Sequence, residues 1–302
     1  MGSGHPECPE RLDAIEDRLI ASGLADFLER RSADLASDNA LMMAHSAAYL
    51  AWLKSEHELL LEEYAAGGPS YRYVDPDTTI NQYTLQAIRR SAGMSIAATE
   101  AVFSGELSNA FCAVRPPGHH AERARAHGFC FVCNVALAAL FALDVLGLQR
   151  VAVVDFDVHH GNGTEDILAG DERALMVSFF QHPFFPHMGV PPKADNMINI
   201  PVEHYTKGEA IRDIVQEKWL PALDRFEPQM IFISAGFDAH REDDMGQIGL
   251  VENDYAWITS QLMQVADRHA GGKIVSCLEG GYDLSALGRS VEAHIRTLAG
   301  LD

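Results

Sequence analysis

Short apolar runs alternate with longer stretches of helical period through most of the 302-residue chain. The runs predict strands at 110–114, 151–155, 175–179, 230–234 and 273–277. Most lack strict apolar–polar alternation, as strands covered on both faces do. Between them, apolar positions recur at helical spacing over 85–103, 132–146, 207–226, 252–269 and 284–298. This alternation implies an α/β fold with a mostly parallel sheet and helices on both faces. The first 70 residues read as helical, with Pro9 at a helix entry and Gly23 at a stop. The apolar stretch 129–148 is long enough for a membrane span, but Asn134 and Asp144 interrupt it and no basic flank follows, so a buried helix is expected. No repeat or linker divides the chain, and a single domain over residues 1–302 is expected.

Each predicted strand runs at its carboxyl end into residues that a core would not select. These continuations are RPPGHH, DFDVHHGNG, SFFQHPFFP, SAGFDAH and LEGGYD. In open parallel sheets ligands bind beyond the carboxyl ends of the strands, so several strands deliver His, Asp, Tyr and Gly to one edge.

Composition narrows the class. Hydrophobic residues make up 47% of the chain and no polar low-complexity tract occurs, which excludes a disordered or fibrous protein. Lys+Arg 23 against Asp+Glu 43 gives −20, with no basic stripe, so no nucleic-acid partner is expected. Such acidity serves solubility and also favours cationic substrates. The polar start lacks the apolar core of a secretory signal, and the five cysteines (Cys8, Cys112, Cys130, Cys133, Cys277) are odd in number and scattered. Together these features point to reduced thiols in the cytoplasm, without a membrane partner.

Asp157 and His159 are two residues apart, so an extended chain would point both side chains the same way. Asp238, after another strand, is a third candidate ligand. An Asp-His-Asp set leaves coordination positions open, the mark of a catalytic metal site; zinc is favoured, while Fe(II) or Co(II) would also be accepted. His119 and His120 follow a rigid Pro-Pro-Gly turn and are acid/base candidates, with Asp155 available to fix tautomer and charge for each. Gly280 and Gly281 give a flexible backbone ahead of Tyr282, a candidate donor to an oxyanion. Cys130 and Cys133 have no second pair and read as core residues, and His45, His57, His204, His269 and His294 as structural.

Taken together, GSGHPECPERL (residues 2–12), RPPGHH, GFCFVCNVA, DFDVHHGNGT, SAGFDAH and LEGGYD resemble the histone deacetylase and acetylpolyamine amidohydrolase family, on the arginase/deacetylase-like three-layer α/β/α fold. Asn162 and the EGGY form of the tyrosine motif are closer to the class II branch and its bacterial relatives. The resemblance implies that Asp157, His159 and Asp238 bind Zn(2+) and that His120 is the general base. It implies further that His119 with Asp155 gives electrostatic support, that Asn162 orients His120 and that Tyr282 hydrogen-bonds the acetyl carbonyl. Gly128, Phe129 and Phe185 would wall the substrate channel. A structural K(+) would involve Asp155, Asp157, His159, Ser178 and Phe179.

Family members carry a strand before the GxGHPE motif, whereas this chain starts inside it, so an early strand is expected to be missing. Asp238-Ala-His240-Arg-Glu242 also approaches the DAHxD signature of manganese ureohydrolases, without their other ligand motif. The expected activity is removal of acetyl or a short acyl group from acetyl-lysine or an acetylated polyamine. A ureohydrolase and a catalytically silent binder of acetylated ligands are the alternatives. The sequence leaves the physiological substrate and oligomeric state open.

Overall fold

Pro9 caps helix α1 (Glu10–Ala21), and Gly23, at φ 74°, turns the chain out of it, as expected from the sequence. The computed structural model describes residues 1–2 and 4–301. After α1 come α2 (Asp38–Ala44), α3 (Ala47–Ala65), a hairpin of β1 (Tyr71–Asp75) and β2 (Thr78–Asn81), and α4 (Thr84–Phe103). The chain continues through β3 (Asn109–Cys112), α5 (Asn134–Asp144), β4 (Val151–Asp155), α6 (Asn162–Leu168), β5 (Ala174–Gln181) and β6 (Met197–Val202). It ends with α7 (Gly208–Ile214), α8 (Leu220–Phe226), β7 (Ile231–Ala235), α9 (Glu252–His269), β8 (Ile274–Leu278) and α10 (Leu284–Leu298).

Strands β3 to β8 form one sheet in the order β3-β8-β7-β4-β5-β6, and every pairing is parallel. Alternate residues of the central strands enter two separate cores. Val151, Val153 and Met176 pack with α2 to α5, while Ala152, Val154 and Val177 pack with α1 and α7 to α10. Burying each large aliphatic side chain contributes roughly 1.5–3 kcal/mol relative to exposure, which makes covered strands of this composition stable without polar alternation. Within α5 only Phe141 and Asp144 are not buried, and no helix among the described residues is long and apolar enough to cross a membrane.

The chain steps outward from β4 to β5 to β6, then returns to the other side of β4 and steps from β7 to β8. The connections therefore diverge between β4 and β7, opening a crevice at their carboxyl ends. The stretch expected to be one helix over 207–226 is interrupted by a π-helical turn, Val215–Trp219, before α8. Pro221 has no N–H to give to the helical ladder, and the register widens just ahead of it.

Candidate active site

Asp157 and His159 follow β4, and Asp238 follows β7, so the triad straddles the crevice. The two β4 residues converge by turns rather than by continuing the strand. Asp155 Oδ1 accepts the Asp157 N–H at 3.0 Å, and Asp157 Oδ1 accepts the His159 N–H at 2.9 Å. His159 Nδ1 then lies 3.0 Å from Asp157 Oδ1 and 3.2 Å from Asp238 Oδ2. Asp238 Oδ1 accepts the Val158 N–H at 3.0 Å, and Asp157 Oδ2 accepts the Gly280 N–H at 2.9 Å. Two glycines make the crowding possible. A Cβ at Gly236 would fall 2.1 Å from Asp157 Oδ2, and one at Gly280 would fall 2.0 Å from Asp238 Oδ2. Gly280 is thus required for close approach.

All three triad residues are buried, and one ligand atom of each lies within 4.8 Å of the others. Burial and the Asp157 charge push Asp238 up to about 7. Burial opposes charge on His159 as well, but the facing Asp157 and Asp238 carboxylates outweigh burial and hold it at about 10. Two buried carboxylates converging on one imidazole nitrogen call for positive charge at that point. Asp238 Oδ2 is fully buried and receives no hydrogen bond, as a ligand oxygen kept for a cation does. Two carboxylates and an imidazole fit a divalent ion with open coordination positions.

The loop after β3 brings in both histidines. The Gly118 and His119 N–H groups donate to Glu279 Oε2 at 2.6 and 3.0 Å, joining this loop to the end of β8. His119 Nδ1 lies 2.9 Å from Asp155 Oδ2; burial disfavours its charge, but Asp157 and Asp155 hold its pKa well above the ordinary value. Asp155 does not serve both rings. His120 Nδ1 instead meets Asn162 Oδ1 at 2.7 Å, and burial, reinforced by neighbouring His119 and His159, holds His120 well below the ordinary value. The adjacent histidines are therefore shifted in opposite directions.

His120, His159, Tyr282, Gly128, Phe129, Phe184 and Phe185 line one pocket, together with Met245 and the acidic Asp77 and Asp244. Gly128 has φ 52°, and a Cβ there would strike the His120 ring at 2.5 Å. Arg11, fully buried, donates to the carbonyls of Glu279 and Gly281, with its guanidinium 4.8 Å from the Tyr282 ring centroid. Asp243 accepts the Tyr282 and Asp283 N–H groups. Sequence reasoning missed Glu279, Arg11 and Asp243; an ionisable residue beside glycines or in an apolar helix face was the available signal.

Ser178 and Phe179 are buried on β5, with Ser178 in register with Asp155. The Ser178 hydroxyl has no hydrogen-bond partner. Cys130 and Cys133 are buried free thiols, the latter beside the Thr164 hydroxyl. His45 links the Glu122 carbonyl to the Cys133 N–H, as a structural residue does. In the ureohydrolase-like segment, His240 Nδ1 accepts the Glu242 N–H, and Glu242 pairs with Arg289 at 2.7 Å. Among the described residues, the only candidate metal group is Asp157, His159 and Asp238.

A family model described as "Histone deacetylase domain" matches residues 5–298. The "Histone deacetylase-like amidohydrolase" of Pseudomonas aeruginosa is 38% identical over 287 residues, covering 93% of this chain and 73% of that protein. The "Polyamine deacetylase HDAC10" of Mus musculus is 37% identical over 308 residues, and the match spans 97% of this chain but only 45% of the mouse protein. The solved structure of the "HDA15 HD domain" matches 100% of this chain and 85% of its own, with a TM-score of 0.90 at 33% identity.

Proposed function

The chain belongs to the histone deacetylase family, and on that premise we propose that it is a zinc-dependent amidohydrolase removing acetyl, or a related short acyl group, from an amine on an extended aliphatic stem. The observation that carries this reading is the buried Asp157–His159–Asp238 group, whose His159 opens into a pocket shared by His120, Tyr282 and three phenylalanines. A zinc ion on the triad would polarise the amide carbonyl and lower the pKa of water.

His120, neutral and bonded to Asn162 through Nδ1, accepts a proton from the attacking water and returns it to the departing amine. His119, held by Asp155 through Nδ1, supplies electrostatic support without exchanging that proton. Tyr282 donates to the oxygen on which negative charge develops. Gly128, Phe129 and Phe185 form the wall along the aliphatic stem and exclude water from it. Asp155, Asp157, His159, Ser178 and Phe179 would hold K(+); the unpartnered Ser178 hydroxyl supports that assignment. The odd, scattered cysteines support a reducing compartment, the cytoplasm.

Acetyl-lysine peptides and acetylated polyamines, assayed side by side with metal analysis of the same sample, test this reading. Release of acetate from at least one class, with about one zinc per chain, is expected. Binding of acetylated ligands without turnover would favour the silent binder, and urea release with two metals per chain would favour the ureohydrolase.

A further inference from the structure

We propose that Glu122 is a positioning residue whose carboxylate sets which way round the Asn162 amide sits, and thereby which nitrogen of His120 is free to accept a proton. The inference rests on the reading of His120 as the proton acceptor.

Asn162 opens α6 and is fully buried. Its Oδ1 faces His120 Nδ1 at 2.7 Å, and its Nδ2 donates to Glu122 Oε1 at 2.8 Å. A half-turn of an amide is nearly isosteric, so the shape of Asn162 alone does not choose between its two orientations. Its neighbours do. A carboxylate only accepts, so the edge facing Glu122 must be the NH2. The His120 carbonyl, 3.4 Å from the same nitrogen, is also purely an acceptor. The amide oxygen is therefore left for His120 Nδ1, which must carry the hydrogen. On a neutral ring this leaves the Nε2 lone pair free.

The reversed amide would set an N–H against Nδ1 and draw the hydrogen to Nε2, the wrong tautomer for accepting a proton there. It would also press an oxygen against Glu122. His119 faces no such choice, because Asp155 presents an acceptor in either orientation. Asparagine at position 162 creates an ambiguity, and Glu122, at 2.8 Å the shortest contact of this amide nitrogen, is the main group resolving it. The His120 carbonyl adds a weaker preference at 3.4 Å, and His127 Nδ1, also at 3.4 Å, accepts or donates according to its tautomer. The main chain around Glu122 is itself fixed: its N–H donates to the Arg125 carbonyl at 3.0 Å, and its carbonyl lies 3.0 Å from His45 Nδ1.

The test uses zinc-loaded full-length protein with 15N-labelled histidine. In the wild type, the His120 signals should report Nδ1–H and a bare Nε2; the opposite tautomer would overturn the proposal without any variant. Glu122→Leu should populate the Nε2–H tautomer and lower kcat by about tenfold or more, with KM little changed. Glu122→Gln keeps an acceptor oxygen and should restore both the spectrum and kcat. In an Asn162→Asp background, where either oxygen accepts, Glu122→Leu should cost nothing further. An equal loss in both backgrounds, or an unchanged tautomer in Glu122→Leu, would refute the role. If His120→Ala kept its kcat, the reading of His120 would fail instead, whatever tautomer the spectra report.

Discussion

Tyr282 lines the pocket, and burial holds its phenol well above the ordinary value, so near neutrality it keeps the proton that the proposed donor role needs. A donor aimed at the developing oxyanion binds the transition state more tightly than the substrate and raises kcat. Tyr282→Phe keeps the ring against Phe129 and Arg11 and deletes only the donor. Its kcat should fall about 10²–10³-fold, or roughly 2.7–4 kcal/mol, with KM and metal content close to wild type. Steady-state kinetics with metal analysis decides this, and near-wild-type turnover would make Tyr282 structural only. The triad, both histidines and Tyr282 were legible in the sequence because they interrupt apolar runs at the strand ends. Glu279 was not, although it adjoins Gly280, since its partners Gly118 and His119 lie 161 and 160 residues away. The residues alone left Asp155 available to both rings; the pairing of His120 with Asn162, which the structure has at 2.7 Å, was implied only by the family resemblance, because which acceptor reaches His120 is set by how α6 docks.

Among the elements, α10 carries His294 into an aromatic layer formed by Phe111, Phe156 and Phe237. Its two nitrogens meet Thr259 of α9 at 2.7 Å and Ser276 of β8 at 2.9 Å, so the neutral ring ties two helices to the sheet. Burial pushes its pKa from 6.5 down to about 3. The unfolded chain therefore takes up this proton first as pH falls. The contribution of His294 to stability is complete above the unfolded pKa of 6.5 and is lost as pH drops toward 3. Within that window the loss approaches about 1.4 kcal/mol per pH unit. Urea unfolding at about pH 7, 5.5 and 4.5 should show a steeper decline for wild type than for His294→Gln; parallel declines would show that His294 does not couple to unfolding. The bounds of α9 and α10 were readable in full because polar residues and Gly mark their ends. The hairpin β1–β2 and strand β6 were not. β6 is an edge strand that admits Pro201, which blurs its pattern, and the hairpin packs on α3 rather than on the main sheet.

At the scale of the whole molecule, the charge of −20 sets a field that any substrate crosses before it meets a specific contact. Two acids sit where that field is focused: Asp77, in the β1–β2 turn, and the exposed Asp244 both line the pocket. An acetylated amine with a second cationic group should therefore be drawn in faster than a neutral amide of the same length. Screening shortens the reach of this attraction to about 8 Å at physiological salt and about 3 Å at 1 M. The kcat/KM for a cationic amide should accordingly fall between about 0.05 and 0.5 M salt, while that of a neutral analogue changes little. Asp244→Asn separates the rim from the net charge. It alters the overall charge by one while removing an acid at the pocket mouth, so a marked loss of salt sensitivity would place the effect at the rim. Unchanged sensitivity in Asp244→Asn would assign the attraction to the chain as a whole. Equal salt dependence for cationic and neutral substrates would remove charge steering altogether and leave the acidity as a means of solubility.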